Sequence, residues 1–237
     1  MLKFGGTSLA SPKDIIGVAK TVVSFSKDNE IVVVCSAVDG VTDDLIIISR
    51  MIEQRKKDAA AKVLDELIKK HRKLADQTIK NSTIKKQLLE KLSTDVSELQ
   101  ELVRGLTLLK EVSARSLDYL VSFGERLSDD LVSFALQDLK KKSTALNGKE
   151  VGIVTDSNFG ESRPLMDTTR IRISKTLGSL LLKKIIPVVG GFAGADQHGN
   201  ITTFGRGGSD YTATIIASCI NADEVWLMSD VDGLMTA

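Results

Sequence analysis

Histidine and cysteine are scarce in this sequence, and each shortage removes a class of explanation. Two histidines, His71 and His198, and two cysteines, Cys35 and Cys219, occur among 237 residues, with no CxxC pair. The cysteines sit in separate apolar stretches, so they read as buried, reduced thiols, and no resident metal site is expected. Charge of one sign is missing as well: 32 Lys and Arg stand against 31 Asp and Glu, a formal net charge of +1. That balance gives no general attraction to nucleic acid or to an anionic membrane, so any anion site has to be local. No run approaches the roughly 18 apolar residues that a membrane span needs. The opening Met1-Leu2-Lys3-Phe4-Gly5-Gly6 lacks the apolar h-region of a secretory signal, and the chain is expected in the cytoplasm. Neither GxxxxGK[ST] nor GxGxxG is present, which closes the P-loop and dinucleotide routes to phosphate binding.

What is abundant is core-forming material, with 42% of residues hydrophobic and 27% charged. Short runs rich in β-branched residues at 31–35, 151–154, 185–189, 201–203 and 225–228 read as strands, and another precedes Gly5. Helical periodicity between most of them predicts an α/β fold, an open and mostly parallel sheet sandwiched by helices. Ser11 can cap a helix with Pro12 at its first position and Asp14 three residues after the cap. Its apolar face would be Ile15, Ile16, Ala19, Val22 and Val23. Residues 45–139 contain no convincing strand. There Ile84, Leu88, Leu89, Leu92, Val96, Leu99, Leu102 and Val103 fall on one stripe, which predicts an inserted helical subregion. The basic run Lys69-Lys70-His71-Arg72-Lys73 inside it reads as a solvated helix face. Pro187 lies in the strongest apolar run, where its missing donor predicts an edge strand or a strand start. His198 falls in the turn-rich stretch 195–200, a hairpin loop without an expected chemical role.

Three glycine-rich segments sit where strands end or helices begin. In Lys3-Phe4-Gly5-Gly6-Thr7-Ser8 the glycines let backbone approach an anion and Lys3 adds a compact positive charge, although a plain strand-to-helix turn would look the same. Thr203-Phe204-Gly205-Arg206-Gly207-Gly208-Ser209-Asp210 precedes an apolar helix whose first N–H groups favour negative charge. Arg206 could grip a carboxylate or phosphate through two hydrogen bonds, while Ser209 and Asp210 could equally be helix caps. Ser229-Asp230-Val231-Asp232-Gly233 follows the run at 225–228, at a strand's carboxyl end where open α/β sheets bind ligands.

These segments, together with Ser36-Ala37, Gly40-Val41-Thr42-Asp43 and Phe123-Gly124-Glu125-Arg126-Leu127-Ser128, resemble the ordered motif set of aspartate kinases, members of the amino-acid kinase family. The resemblance covers nearly the whole chain. It implies transfer of the γ-phosphoryl group of ATP, carried with Mg2+ held mainly by the phosphates, to the side-chain carboxylate of L-aspartate. Lys3 would hold the transferring phosphate with Gly5, Gly6 and Thr7 supplying donors, and Asp210 would orient Lys3 or neighbouring charged groups. Ser36 and Thr42 would hydrogen-bond aspartate, Glu125 would meet its α-ammonium, Arg206 its α-carboxylate, and Ser209 would add a further bond. Ser229 and Asp230 would contact the nucleotide. Phosphoryl transfer asks mainly for positioning and charge neutralisation, and a carboxylate nucleophile needs no general base, so the shortage of histidine is no obstacle.

The sequence departs from the family pattern near its end. Ser229 stands where the family commonly has Thr, and Met235 stands where a Tyr is usual. The family also continues past Thr236-Ala237 with a lysine-bearing nucleotide segment and regulatory domains. The resemblance therefore implies a catalytic domain over 1–237, cut short at its C-terminal end and without a regulatory domain, from a protein that is a homo-oligomer at full length. Two alternatives stay open at this point: a kinase for glutamate, N-acetylglutamate or UMP, and a ligand-binding module without turnover. Within the first group Glu125 tells against N-acetylglutamate and UMP, since an acetylated acceptor or a nucleotide has no ammonium to pair with it.

Overall fold

The computed structural model describes residues 1–228, and the expected site residues Ser229 and Asp230 lie outside them. In chain order the first half comprises β1 (Leu2–Phe4), α1 (Pro12–Phe25), β2 (Val33–Cys35), α2 (Val41–Glu53), α3 (Lys57–Thr78), α4 (Ser82–Leu109) and α5 (Ala114–Asp138). The second comprises β3 (Ser143–Leu146), α6 (Gly148–Val151), β4 (Val154–Thr155), α7 (Met166–Leu182), β5 (Ile186–Gly190), β6 (Ala193–Asp196), β7 (Ile201–Thr203), α8 (Gly208–Ile220) and β8 (Trp226–Met228). The main sheet runs β3-β5-β2-β1-β8 with every pairing parallel. A smaller sheet runs β4-β6-β7, in which β6 and β7 form the expected antiparallel hairpin around His198.

Strand alternation explains why the main strands read as unbroken apolar runs. Leu2, Phe4, Val33, Cys35 and Val188 face a core shared with α1 to α5, whereas Val32, Val34 and Val189 face a second core with Ile173 and Leu177 of α7 and Ile215 and Ile216 of α8. Both faces are covered by helices, so neither set of side chains can be polar. Helices α2 to α5 occupy the expected helical subregion, and Leu88, Leu92, Val96, Leu99 and Val103 of the predicted stripe are buried. The subregion is more than an appendage, because α5 packs on α1, α2 and α4 and also on β3 and β5. At α1 the Ser11 side chain accepts from Asp14 N–H as expected, with Val18 joining the buried face.

Three details differ from the sequence reading. Residues 151–154 do not form one strand: Asn147 and Glu150 make a reciprocal capping box that closes the turn α6, Gly152 leaves it at φ 105°, and β4 starts only at Val154. Pro187 sits in β5, an interior strand, near its start. Ile186 donates to Lys142 O on the β3 side, so alternation turns the Pro187 nitrogen toward β2, whose pairing begins one residue later at Val33↔Val188. The basic run on α3 is solvated except at His71, which is buried against the core with Nδ1 2.9 Å from Leu67 O.

Candidate active site

The site lies at the carboxyl edge of the main sheet, where β1, β2 and β5 are followed by the small residues Gly5-Gly6, Ser36-Ala37 and Gly191. Gly6 allows the turn after β1 to lie against the segment after β2, since a Cβ there would meet Ala37 O at 2.9 Å. Helix α5 crosses this edge closely. A Cβ on Gly124 would lie 2.9 Å from Ala37 Cβ, and one on Gly190 would lie 2.8 Å from Asp129 Oδ2 and 3.2 Å from Glu125 Cβ. The absence of side chains at these two positions lets α5 carry Glu125 to the strand ends. The chain then turns through Phe192, a non-glycine residue at φ 71° whose N–H is held by Thr212 Oγ1 at 2.9 Å.

Lys3, Gly6, Ser36, Thr42, Glu125, Arg206, Ser209 and Asp210 all line one cleft of about 600 Å³. They come from β1, the turns after β1 and β2, the first turn of α2, the middle of α5 and the β7–α8 junction. Two helix starts face this space: α2 begins at Gly40 and α8 at Gly207, both with left-handed φ and neither with a side-chain cap. Such starts present backbone N–H groups and the positive end of the helix dipole to an anion. Ser209 and Asp210 are therefore not the caps they could have been. Instead Asp210 pairs with Lys3 at 2.7 Å, a link between the first strand and the last described helix. Gly5 and Thr7 stand outside the lining, with Thr7 exposed at the start of a short 3-10 helix, Thr7–Leu9.

Glu125 is the most unusual group in the cleft. It is 5% exposed, and its Oε2 has no hydrogen-bond partner among the described residues. Burial pushes its carboxyl up from an ordinary 4.5 to about 8. An acid held this way in a cleft lacks a cationic partner, and a ligand ammonium would supply one. Its neighbour Arg126 does not pair with it, turning instead to Asp95 and Glu98 at 2.5 Å each. That network borders a larger cleft of about 840 Å³ on the other side of α5. There Arg126 is engaged as described and Lys91 lies 2.5 Å from Asp95 and 3.5 Å from Asp130, while burial pushes the Asp129 and Asp130 carboxyls up and Asp130 Oδ2 has no hydrogen-bond partner among the described residues.

Sequence reasoning missed Asp118, Gly190 and Gly191. Asp118 lines the cleft, 2% exposed, and accepts from Gly160 N–H, Thr203 N–H and Thr203 Oγ1. Burial raises its carboxyl while these three bonds oppose the rise. A signal existed, because Asp118 precedes Glu125 by two helical turns on the same face. Gly190-Gly191 directly after an apolar run was a second signal, and a Cβ on Gly191 would come within 2.8 Å of Ser209 Cα. Among the described residues no group of three or more His, Cys, Asp or Glu gathers to hold a metal. Nor is any helix there long and apolar enough to cross a membrane.

A parallel sheet between helix layers, with glycine turns, two helix starts and paired charges at its carboxyl edge, defines an α/β domain built to bind a small charged ligand or an anion. The pattern of the Amino acid kinase family matches residues 1–237, and the chain belongs to that family. It is similar to aspartokinase 3, chloroplastic, of Arabidopsis thaliana, 33% identical over all of this chain and 41% of that protein. It is also similar to the aspartokinase of Corynebacterium glutamicum, 30% identical over 99% of this chain and 42% of that protein. The chain thus spans about two fifths of the length of these relatives. Among solved structures, E. coli aspartokinase III in complex with lysine and aspartate superposes with a TM-score of 0.86 at 25% identity, covering 98% of this chain and 49% of that one. The same enzyme with aspartate and ADP gives 0.79 at 26% identity, with the same coverage.

Proposed function

We propose that this chain carries the catalytic site of an aspartate kinase, which moves the γ-phosphoryl group of ATP to the β-carboxylate of L-aspartate to give 4-phospho-L-aspartate. The observation that carries the reading is the buried, unpartnered Glu125 facing the same cleft as Arg206 and the Lys3–Asp210 pair. An α-amino acid brings an ammonium for Glu125 and a carboxylate for Arg206, leaving its side-chain carboxylate beside Ser36, Thr42 and Lys3. One oxygen of that carboxylate forms the new bond to phosphorus as the bond to the β,γ-bridging oxygen of ATP breaks and ADP leaves. Lys3, fixed by Asp210, offsets the negative charge of the two reactants, and Gly6 with the start of α8 supplies backbone donors. Ser209 adds a bond to the amino acid, and Gly5, Thr7, Ser229 and Asp230 complete the nucleotide side. A Mg2+ ion enters with the nucleotide, held mainly by its phosphates, and neutralises charge there.

A kinase for an acetylated amino acid or for UMP is less well supported, because neither acceptor would give Glu125 a cation. The product would feed lysine, threonine and methionine synthesis, in a cytoplasmic protein that is a homo-oligomer at full length. The decisive experiment is ADP release with aspartate and Mg-ATP, with the acyl phosphate trapped as hydroxamate. Turnover with aspartate and none with N-acetylaspartate is expected, whereas equal turnover of both would remove the role given to Glu125.

A further inference from the structure

Asp118 stands seven residues before Glu125 on α5, so both project from one face of a single rigid element. Its two oxygens reach segments distant in sequence. Oδ2 accepts from the backbone N–H groups of Gly160 and Thr203, each at 2.9 Å, and Oδ1 accepts from Thr203 Oγ1 at 2.8 Å. Those segments meet again two residues after Thr203, at Gly205. Its φ is +73°, and a Cβ there would lie 3.0 Å from Gly160 O. The intervening backbone is fixed as well, since Thr203 O accepts from Ser162 N–H and Ser162 Oγ at 2.9 Å and Phe204 N–H donates to Phe192 O. Arg206 follows immediately. The path from α5 to Arg206 therefore runs through one carboxylate and three hydrogen bonds.

We infer that Asp118 is a positioning residue that sets the separation between Glu125 and Arg206, and so how well the cleft fits the ammonium and carboxylate of an α-amino acid. The inference rests on the reading above that the acceptor presents an α-ammonium and an α-carboxylate to this pair. Asp118 does this without touching the acceptor: two backbone donors occupy Oδ2 and a hydroxyl occupies Oδ1. What the site uses is its acceptor geometry and its attachment to α5, and its charge is incidental.

Asparagine separates geometry from charge. Its carbonyl can accept from both backbone N–H groups, and its amide can donate to Thr203 Oγ1, whose hydroxyl then serves as the acceptor. The full-length wild-type protein is first assayed with aspartate and with glutamate, and the variants are then measured with whichever it phosphorylates. Asp118→Asn should stay within about threefold of wild type in acceptor KM, while Asp118→Ala should lower kcat/KM for the acceptor roughly 10- to 100-fold with the KM for ATP nearly unchanged. Thr203→Val, which removes only the hydroxyl bond, should fall between them. An Asp118→Asn enzyme as damaged as Asp118→Ala would overturn the inference, because charge would then be what matters. An unchanged acceptor KM in Thr203→Val would overturn it too, and this arm decides if Asp118→Ala fails to fold. A wild type that phosphorylates neither amino acid refutes the functional reading itself, an outcome visible before any variant is made.

Discussion

Glu125 shows how one residue can trade stability for recognition. Its carboxyl is ordinarily near 4.5 and sits near 8 in the fold. Between those values the folded chain binds the proton and the unfolded chain does not, so stability falls as pH rises, by roughly 1.4 kcal/mol per pH unit from this group. Glu125→Gln removes that slope, and its denaturation midpoint should overtake that of wild type between pH 6 and pH 9. The same variant should lose kcat/KM for aspartate by between roughly thirtyfold and a few thousandfold, since an ammonium then meets no charge. Aspartate binding at pH 7 should also release close to one proton, measured by calorimetry in buffers of different ionisation enthalpy, and the variant should release none. Lys3 makes the opposite case. Its pair with Asp210 leaves Asp210 half exposed, so Lys3→Met should change stability by only about 0–1 kcal/mol. Turnover in the hydroxamate assay should nevertheless fall about a hundredfold or more, because charge stabilisation of the transferring phosphoryl group is gone. A Lys3→Met enzyme with near-normal kcat would move the phosphate site elsewhere.

At the scale of elements, α5 and α3 illustrate two fates of polar residues on helices that read as amphipathic. Helix α5 buries Asp118, Glu125, Asp129 and Asp130 because it runs between the sheet edge and the α2–α4 layer with little exposed surface. Helix α3 instead buries a single histidine in a basic run. His71 donates from Nδ1 to Leu67 O, and its Nε2 has no partner among the described residues. Burial depresses its pKa from 6.5 to about 4. Here the unfolded chain takes up the proton first, so the stability this group contributes is complete above pH 6.5 and is lost as pH falls toward 4. Acid titration of the denaturation midpoint should show that loss, at roughly 1.4 kcal/mol per pH unit from this group, and His71→Leu should flatten the profile over the same interval. A profile unchanged by the substitution would assign the acid sensitivity to other groups.

For the whole molecule, the two cores on opposite faces of one sheet hold one cysteine each, Cys35 on the α1–α5 side and Cys219 on the α7–α8 side. Both are buried and free, and burial pushes the Cys35 thiol well up. A thiol-specific reagent should therefore label neither in the native protein within minutes and both after unfolding in guanidinium, and fast native labelling would show that one face opens. The parallel sheet, the helical region between β2 and β3, and the hairpin around His198 were legible in the sequence because periodicity reports which side of an element is buried. The short motifs were enough to pick out Lys3, Ser36, Thr42, Glu125, Arg206, Ser209 and Asp210 as one set. Composition and pattern could not show that Asp210 pairs with Lys3 rather than capping α8, nor that Glu125 is buried without a partner, because both depend on residues far apart in sequence. The strand break at Gly152, the burial of His71 and the anchoring role of Asp118 were hidden for the same reason. Local chemistry determined which segments become strands, helices and glycine turns. Only the close approach of α5 to the strand ends, permitted by Gly124 and Gly190, decided which charges are desolvated, and desolvation sets their protonation and their affinity for a ligand.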